Sequence, residues 1–269
     1  MSINIFNVRI DSVTKNEALQ KARLFLSGSS QHSIYTPNPE MLMAARHDPS
    51  FTHVLNRSSL NLCDGFGIQL VTCFKLRRLT GVDFMSALCE LAAEENKTIY
   101  LLGSASETVI DAAGLFLQTR SPNLKIVGKN KGPKIFLKKN SVATELLFEN
   151  SEAEENEKIL HDIILSAPDL LLVAFGHEKQ ERWIDTHLEQ LPSVKIALGV
   201  GGAFDMLAGT IPRAPRLFRA VGLEWLWRLG IEPKRFSRII TAAILFPMYY
   251  AITKLKNTLD KVIAKKVSL

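Results

Sequence analysis

Leu60-Asn61-Leu62-Cys63-Asp64-Gly65-Phe66-Gly67 is the stretch that decides the fold. A short apolar run ending in a carboxylate and a glycine turn reads as a strand whose last residue stands at a sheet's carboxyl edge. In open α/β folds that edge is where ligands bind. A second stretch has the same form: Ser33-Ile34-Tyr35 runs into Thr36-Pro37-Asn38-Pro39-Glu40. If the two strands are neighbours, Asp64, Thr36 and Asn38 converge on one pocket. The plainer account is that Asp64 only caps the helix that follows it.

Working outward, short apolar runs alternate with longer helix-like segments through residue 212, as expected of a mostly parallel sheet with helices on its faces. Ile3–Phe6 and Val8–Ile10 read as opening strands. Asn16–Leu26 reads as a helix, with Ala18, Leu19, Ala22 and Leu26 at helical spacing. Pro39 and Pro49 each start a helix where a missing amide does no harm. Asp83 is expected as an N-cap or first-turn acid of the helix opened by Thr80-Gly81. Thr98–Leu102, Asp169–Ala174 and Lys195–Leu198 are further strands. The turn after the first of these, at Gly103, can offer backbone amides and a helix N-terminus to a phosphate. Residues 129–158, basic and then acidic, read as an exposed, loop-rich insertion. Gly199-Val200-Gly201-Gly202-Ala203-Phe204 fails the dinucleotide fingerprint because Phe204 stands at its third glycine. That leaves an ordinary Rossmann oxidoreductase a distant reading.

Composition narrows the class. The chain has 269 residues, 46% hydrophobic and 22% charged, ordinary for a soluble globular protein with one large domain and an appendage. Cys63, Cys73 and Cys89 form no CxxC pair, and no signal peptide opens the chain, so reduced thiols in a cytosolic protein are expected. The histidines show no metal spacing; His177-Glu178-Lys179-Gln180-Glu181 does not complete HExxH, and no metal site is expected.

The net charge of +6 is divided unevenly. Residues 1–212 hold 21 Lys+Arg against 24 Asp+Glu, and residues 213–269 hold 12 against 3, so the tail carries +9. It interleaves arginines with Phe218, Trp225 and Trp227, then runs through the mostly apolar Ile239–Ile252, interrupted by Pro247. Spanning a bilayer takes roughly 20 apolar residues, so this segment reads as too short and broken. An interfacial helix on an anionic leaflet fits better. A helix packed on the core or at an oligomer interface is the alternative. Nucleic acid is disfavoured, because the apolar run would be wasted where phosphate contacts dominate affinity.

Six ordered motifs together resemble the WecG/TagA/CpsF family of bacterial glycosyltransferases. They are Thr36-Pro37-Asn38-Pro39-Glu40, Asp64-Gly65-Phe66-Gly67, Arg78-Leu79-Thr80-Gly81-Val82-Asp83, Gly176-x-x-Lys179-Gln180-Glu181-x-Trp183-Ile184, Gly199 to Asp205, and Arg213-Ala214-Pro215. The resemblance implies a Rossmann-like α/β fold and a cytoplasmic enzyme on the inner face of the plasma membrane. Its reaction would be inverting transfer of a hexose or N-acetylhexosamine (ManNAc-type, ManNAc-uronate or glucose) from a UDP-sugar to an undecaprenyl-diphosphate-linked saccharide. The product would be a precursor of teichoic acid, common antigen, capsule or exopolysaccharide. No cofactor is expected.

Under that resemblance Asp64 is the catalytic base. Thr36, Asn38, Arg78 and Gln180 line the pocket with Gly103, Gly201 and Gly202. Arg213 and Arg216 close over it and meet the pyrophosphates. A catalytically silent UDP-sugar-binding scaffold is the alternative. The chain departs from the family pattern at His177-Glu178, in the length of 129–158, and in the apolar stretch beyond Ile239.

Overall fold

The computed structural model describes residues 1–140, 144–215, 217–218, 222–232 and 236–267. Six parallel strands form the central sheet in the order β4-β3-β10-β9-β5-β6. They are β3 (His32–Tyr35), β4 (Leu60–Asn61), β5 (Thr98–Leu102), β6 (Lys125–Asn130), β9 (Leu170–Val173) and β10 (Ile196–Gly199). Of the inner strands, β9 and β10 are buried throughout, β5 from its second residue and β3 in its second half, as a sheet covered on both faces requires. Side chains alternate strictly: Tyr35, Tyr100, Leu102, Leu171, Val173 and Ala197 enter one core. Ile34, Ile99, Leu101, Leu170, Leu172, Ile196 and Leu198 enter the other.

The second core is covered by α1 (Lys15–Ser27), α5 (Gly81–Glu94), α6 (Glu107–Arg120) and α9 (Ala203–Leu207). The first is covered by α2 (Pro39–His47), α3 (Pro49–Arg57), α7 (Asn150–Ser166) and α8 (Lys179–His187). The α/β architecture expected from the alternation is therefore the one observed.

Capping sets where the helices begin. Thr14 and Glu17 form a reciprocal capping box on α1. Asn38 caps α2 by accepting from the Met41 amide at 3.0 Å, with Pro39 in the first turn. Asp48 caps α3 ahead of Pro49, accepting from the Ser50 amide at 2.9 Å.

The opening strands are found as read: β1 (Ser2–Ile5) and β2 (Val8–Asp11) pair with each other as an antiparallel hairpin outside the main sheet. Two expectations are corrected. The 129–158 stretch is not loop-rich: it holds the end of β6, the hairpin β7 (Ile135–Lys139) to β8 (Thr144–Phe148), and the first half of α7. Residues 141–143 at the hairpin turn lie outside the described residues. Helix α4 spans Phe66–Val71.

The second concerns Pro247. Helix continues through it: α11 (Phe236–Ile240), a π turn (Thr241–Leu245) and α12 (Phe246–Val267) are contiguous. α10 (Glu224–Ile231) precedes them. The Phe246 amide reaches back five residues to the Thr241 carbonyl. A proline in a helix lacks an amide and crowds the carbonyl four residues back, and a widened turn relieves both problems. Phe236–Asp260, 25 residues, is long and apolar enough to cross a bilayer by length and composition. It is also partly docked. Ile239 and Phe246 are buried, with Leu245, Tyr249 and Tyr250 packed beside Phe246 against the first core. The alternative of packing on the core thus holds for one face of this segment. The other face exposes Ile244, Met248, Ile252, Leu255 and Leu259.

Candidate active site

Asp64 follows β4, and its amide donates to the Pro37 carbonyl at 3.0 Å, stapling together the loops after β3 and β4. The two strands are parallel neighbours, with Ile34 opposite Leu60 and Tyr35 opposite Asn61. Thr36, Asn38 and Asp64 therefore meet at one corner of the sheet's carboxyl edge. Asp64 does not cap α4, whose N-cap is Gly65 with no side-chain bond. Its Oδ2 instead accepts from the Gly81 amide of α5 at 3.0 Å. That contact places the side chain on the positive end of a 14-residue helix.

Gly81 makes the convergence possible. A Cβ there would stand 3.1 Å from the Thr36 Oγ1 and 3.5 Å from the Asp64 Oδ2. Thr80 is the N-cap of α5, and Asp83 is its first-turn acid. Arg78 lies beside this corner: it bridges Cys63 in parallel, and the Leu79 amide donates to the Cys63 carbonyl at 2.9 Å. Burial pushes the Cys63 thiol up to about 12, so it remains a neutral packing group. Arg213 reaches the same helix end, donating to the Asp83 Oδ1 at 2.6 Å. Arg216 lies outside the described residues.

β10 neighbours β3, with Leu198 opposite Ile34, so the glycine loop after β10 opens next to Thr36. Gln180 sits beneath that loop. It is buried, its Oε1 accepts from the Gly201 amide at 2.8 Å, and its Nε2 donates to the Glu181 Oε1 at 2.7 Å. The Gly201 amide fixes which way the Gln180 amide points, because only an oxygen can face it. A Cβ on Gly199 would meet the Gln180 Nε2 at 2.7 Å. Gln180 is thus engaged in shaping the pocket floor.

Gly201 and Gly202 line a cleft of about 580 Å³ with Ser104, Lys131, Lys134 and Lys179. Gly103 lies below it with φ +94, its space closed by the Ala174 backbone. The Gly103 and Ser104 amides go to the Asn130 and Lys131 carbonyls, so the turn holds the β6 end in place.

Sequence reasoning missed three features. Lys131 and Lys134 belong to the stretch expected to be solvated, and they are exposed, but just ahead of β7 they also line the cleft. Arg182 is buried and ties α8 to α3 and β8, contacting Asp48 at 2.8 Å, Glu178 at 3.3 Å and the Thr144 carbonyl at 3.0 Å. Arg238 of α11 donates to Glu40 at 2.7 Å and lies 3.0 Å from the His177 Nδ1. The departure at His177 is thereby accounted for as a contact for the tail. Glu178 takes a left-handed conformation, φ +71, and its amide donates to the Glu181 Oε2 at 2.6 Å.

The profile of the glycosyl transferase WecG/TagA/CpsF family matches residues 3–260. The chain belongs to that family. It is 28% identical over 266 residues to a protein of Staphylococcus aureus strain NCTC 8325 named N-acetylglucosaminyldiphosphoundecaprenol N-acetyl-beta-D-mannosaminyltransferase. That match covers 96% of this chain and 95% of the relative. The proteins of the same name from strains MRSA252 and MW2 match at 28% and 27% identity with the same coverage. As a member of this family the chain is a glycosyltransferase by descent.

Proposed function

We propose that this glycosyltransferase moves a hexose or N-acetylhexosamine from a UDP-sugar to an undecaprenyl-diphosphate-linked saccharide, with inversion at the anomeric carbon and without a metal. The observation that carries the proposal is the placement of Asp64 on the N-terminus of α5 beside Thr36. Asp64 takes the proton of the acceptor hydroxyl as that oxygen attacks the anomeric carbon. The bond from that carbon to the UDP oxygen breaks, and its electron pair leaves with UDP. Lys131, Lys134 and Lys179 line a cleft suited to a nucleoside diphosphate, and Arg78 and Arg213 stand beside the Asp64 corner. Cations aimed at a departing diphosphate stabilise charge as it develops. The relatives' shared name supports a polyprenyl-linked N-acetylglucosamine acceptor and an N-acetylmannosamine donor.

The acceptor's lipid requires contact with the bilayer. The exposed stripe Ile244, Met248, Ile252, Leu255 and Leu259 recurs at helical spacing and is accompanied by Lys254 and Lys256, as in helices that lie in an anionic interface. Assay of purified full-length protein with a panel of UDP-sugars and a short-chain polyprenyl-diphosphate-GlcNAc acceptor, with and without EDTA, tests the reading. Transfer from a UDP-N-acetylhexosamine that survives EDTA is expected. UDP binding with no transfer from any donor would favour a silent scaffold.

A further inference from the structure

The end of helix α4 holds Phe74 edge-on to Phe66 at 6.1 Å and yet leaves most of its ring in solvent. Cys73 and Phe74 are both left-handed, φ +51 and +59, although neither is glycine. Consecutive non-glycine residues in that region are disfavoured by Cβ contacts and persist only where the surroundings fix them. Here they are fixed from both sides. The Phe74 amide donates to the Gln69 carbonyl at 2.8 Å and the Cys73 amide to the Leu70 carbonyl at 3.0 Å. The Gln69 side chain donates to the Leu76 carbonyl at 3.2 Å, and the Ser12 hydroxyl to the Lys75 carbonyl at 2.9 Å. The outcome of this bracing is exposure: Leu70 is 51% and Phe74 60% accessible, while Ile68 and Leu76 beside them are buried. Lys75 and Arg77 follow at once, and both are exposed.

The position of this knuckle is equally specific. A Cβ on Gly67 of α4 would touch the Ala242 carbonyl and the Phe246 ring, and one on Gly222 would collide with Phe66. α4 is therefore enclosed by the C-terminal tail. Leu70 lies one turn beyond Gly67 on the same side of α4. The tail next to it exposes Ile244 and Met248.

We propose that the Leu70–Phe74 knuckle is a second membrane contact, inserting Leu70 and Phe74 into the surface of an anionic bilayer beside the tail helix. This rests on the reading that α11–α12 lies on the membrane. An apolar tip flanked by cations matches an anionic lipid surface, with Leu70 and Phe74 in the acyl boundary and Lys75 and Arg77 at the phosphates. One helix on a bilayer leaves the protein free to roll about it; a second contact removes that freedom. Because α4 begins two residues after Asp64, the knuckle sets the height and tilt of the Asp64 corner above the lipid.

The protein carries its own probe site. Cys73 is exposed, whereas Cys63 and Cys89 are buried. Full-length protein labelled at Cys73 with an environment-sensitive fluorophore is mixed with phosphatidylglycerol or phosphatidylcholine vesicles. A blue shift and quenching by brominated acyl chains are expected with the anionic vesicles. An unchanged spectrum, or a shift that needs no lipid and grows with protein concentration, overturns the proposal; the latter assigns the knuckle to self-association. A parallel label at Ile252→Cys in a Cys73→Ser background separates the two claims. If the tail label reports lipid and the Cys73 label does not, only the second contact fails. If neither reports lipid, the membrane reading itself fails. Replacing both Leu70→Ser and Phe74→Ser should lower vesicle affinity about tenfold, with turnover on a water-soluble acceptor retained. Unchanged affinity in that variant would also overturn the proposal.

Discussion

At the scale of single residues, the site depends on one missing side chain. Asp64 and Thr36 share the end of α5 because Gly81 leaves room for both. Gly81→Ala should cut turnover about tenfold or more, since small misplacements of reacting groups are costly, with the thermal midpoint little changed. Wild-type turnover in that variant would mean that the corner tolerates displacement and that Thr36 and Asp64 need no such register. The sequence brought Asp64 and Thr36 to attention through strand ends and glycine turns. It marked Gly81 only as part of a motif and gave no reason for a glycine there, because a close approach between a helix start and two distant loops is a property of three dimensions.

Glu181 gives a second test. It is buried, and burial pushes its carboxyl up to about 7 despite bonds from Gln180 and the Glu178 amide; the Glu178 charge raises it further. A carboxyl raised in the folded state binds its proton more tightly there than when unfolded. Its ionisation therefore costs stability as pH rises from its ordinary 4.5 through about 7. His187, lowered by burial, acts oppositely in part of that range, so the clean quantity is a difference. The midpoint of wild type minus that of Glu181→Gln should fall as pH rises across that window. A flat difference would mean that Glu181 stays in one protonation state.

Among the elements, the tail helix holds the main surprise. Ile239–Ile252 was legible as apolar and basic-flanked, but sequence spacing could not reveal which of its faces meets protein. Pro247 suggested a break, and the π turn before it is a local solution that a helical-wheel reading does not contain. Phe246 is the anchor: it is fully buried, edge-on to Phe6 at 5.9 Å. Phe246→Ala should cost about 3–5 kcal/mol in urea unfolding, as for other large buried aromatics. A loss below about 1 kcal/mol would mean that the helix docks weakly and that Phe246 is not the anchor. The approach to the β7–β8 hairpin teaches a related lesson, since Lys131 and Lys134 are solvated as read, and only the fold shows that they also line a cleft.

Over the whole molecule, parallel strands with apolar residues on both sides made the α/β architecture readable from sequence periodicity alone. The same periodicity could not order the strands. That order puts β10 between β3 and β9 and so sets the glycine loop against the Asp64 corner. Charge asymmetry pointed to an anionic partner for the tail, and the structure adds an exposed apolar stripe on a helix rooted in the core by Phe246 and tied to Glu40 by Arg238. The account's centre is nonetheless the role of Asp64 as base. The most direct measurement is single-turnover transfer from the UDP-sugar to the polyprenyl-diphosphate-linked acceptor by wild type and by Asp64→Asn, with UDP affinity determined for both. The account predicts a rate reduced about a thousandfold, as for loss of a general base, with UDP affinity unchanged. A rate within a few-fold of wild type would contradict it.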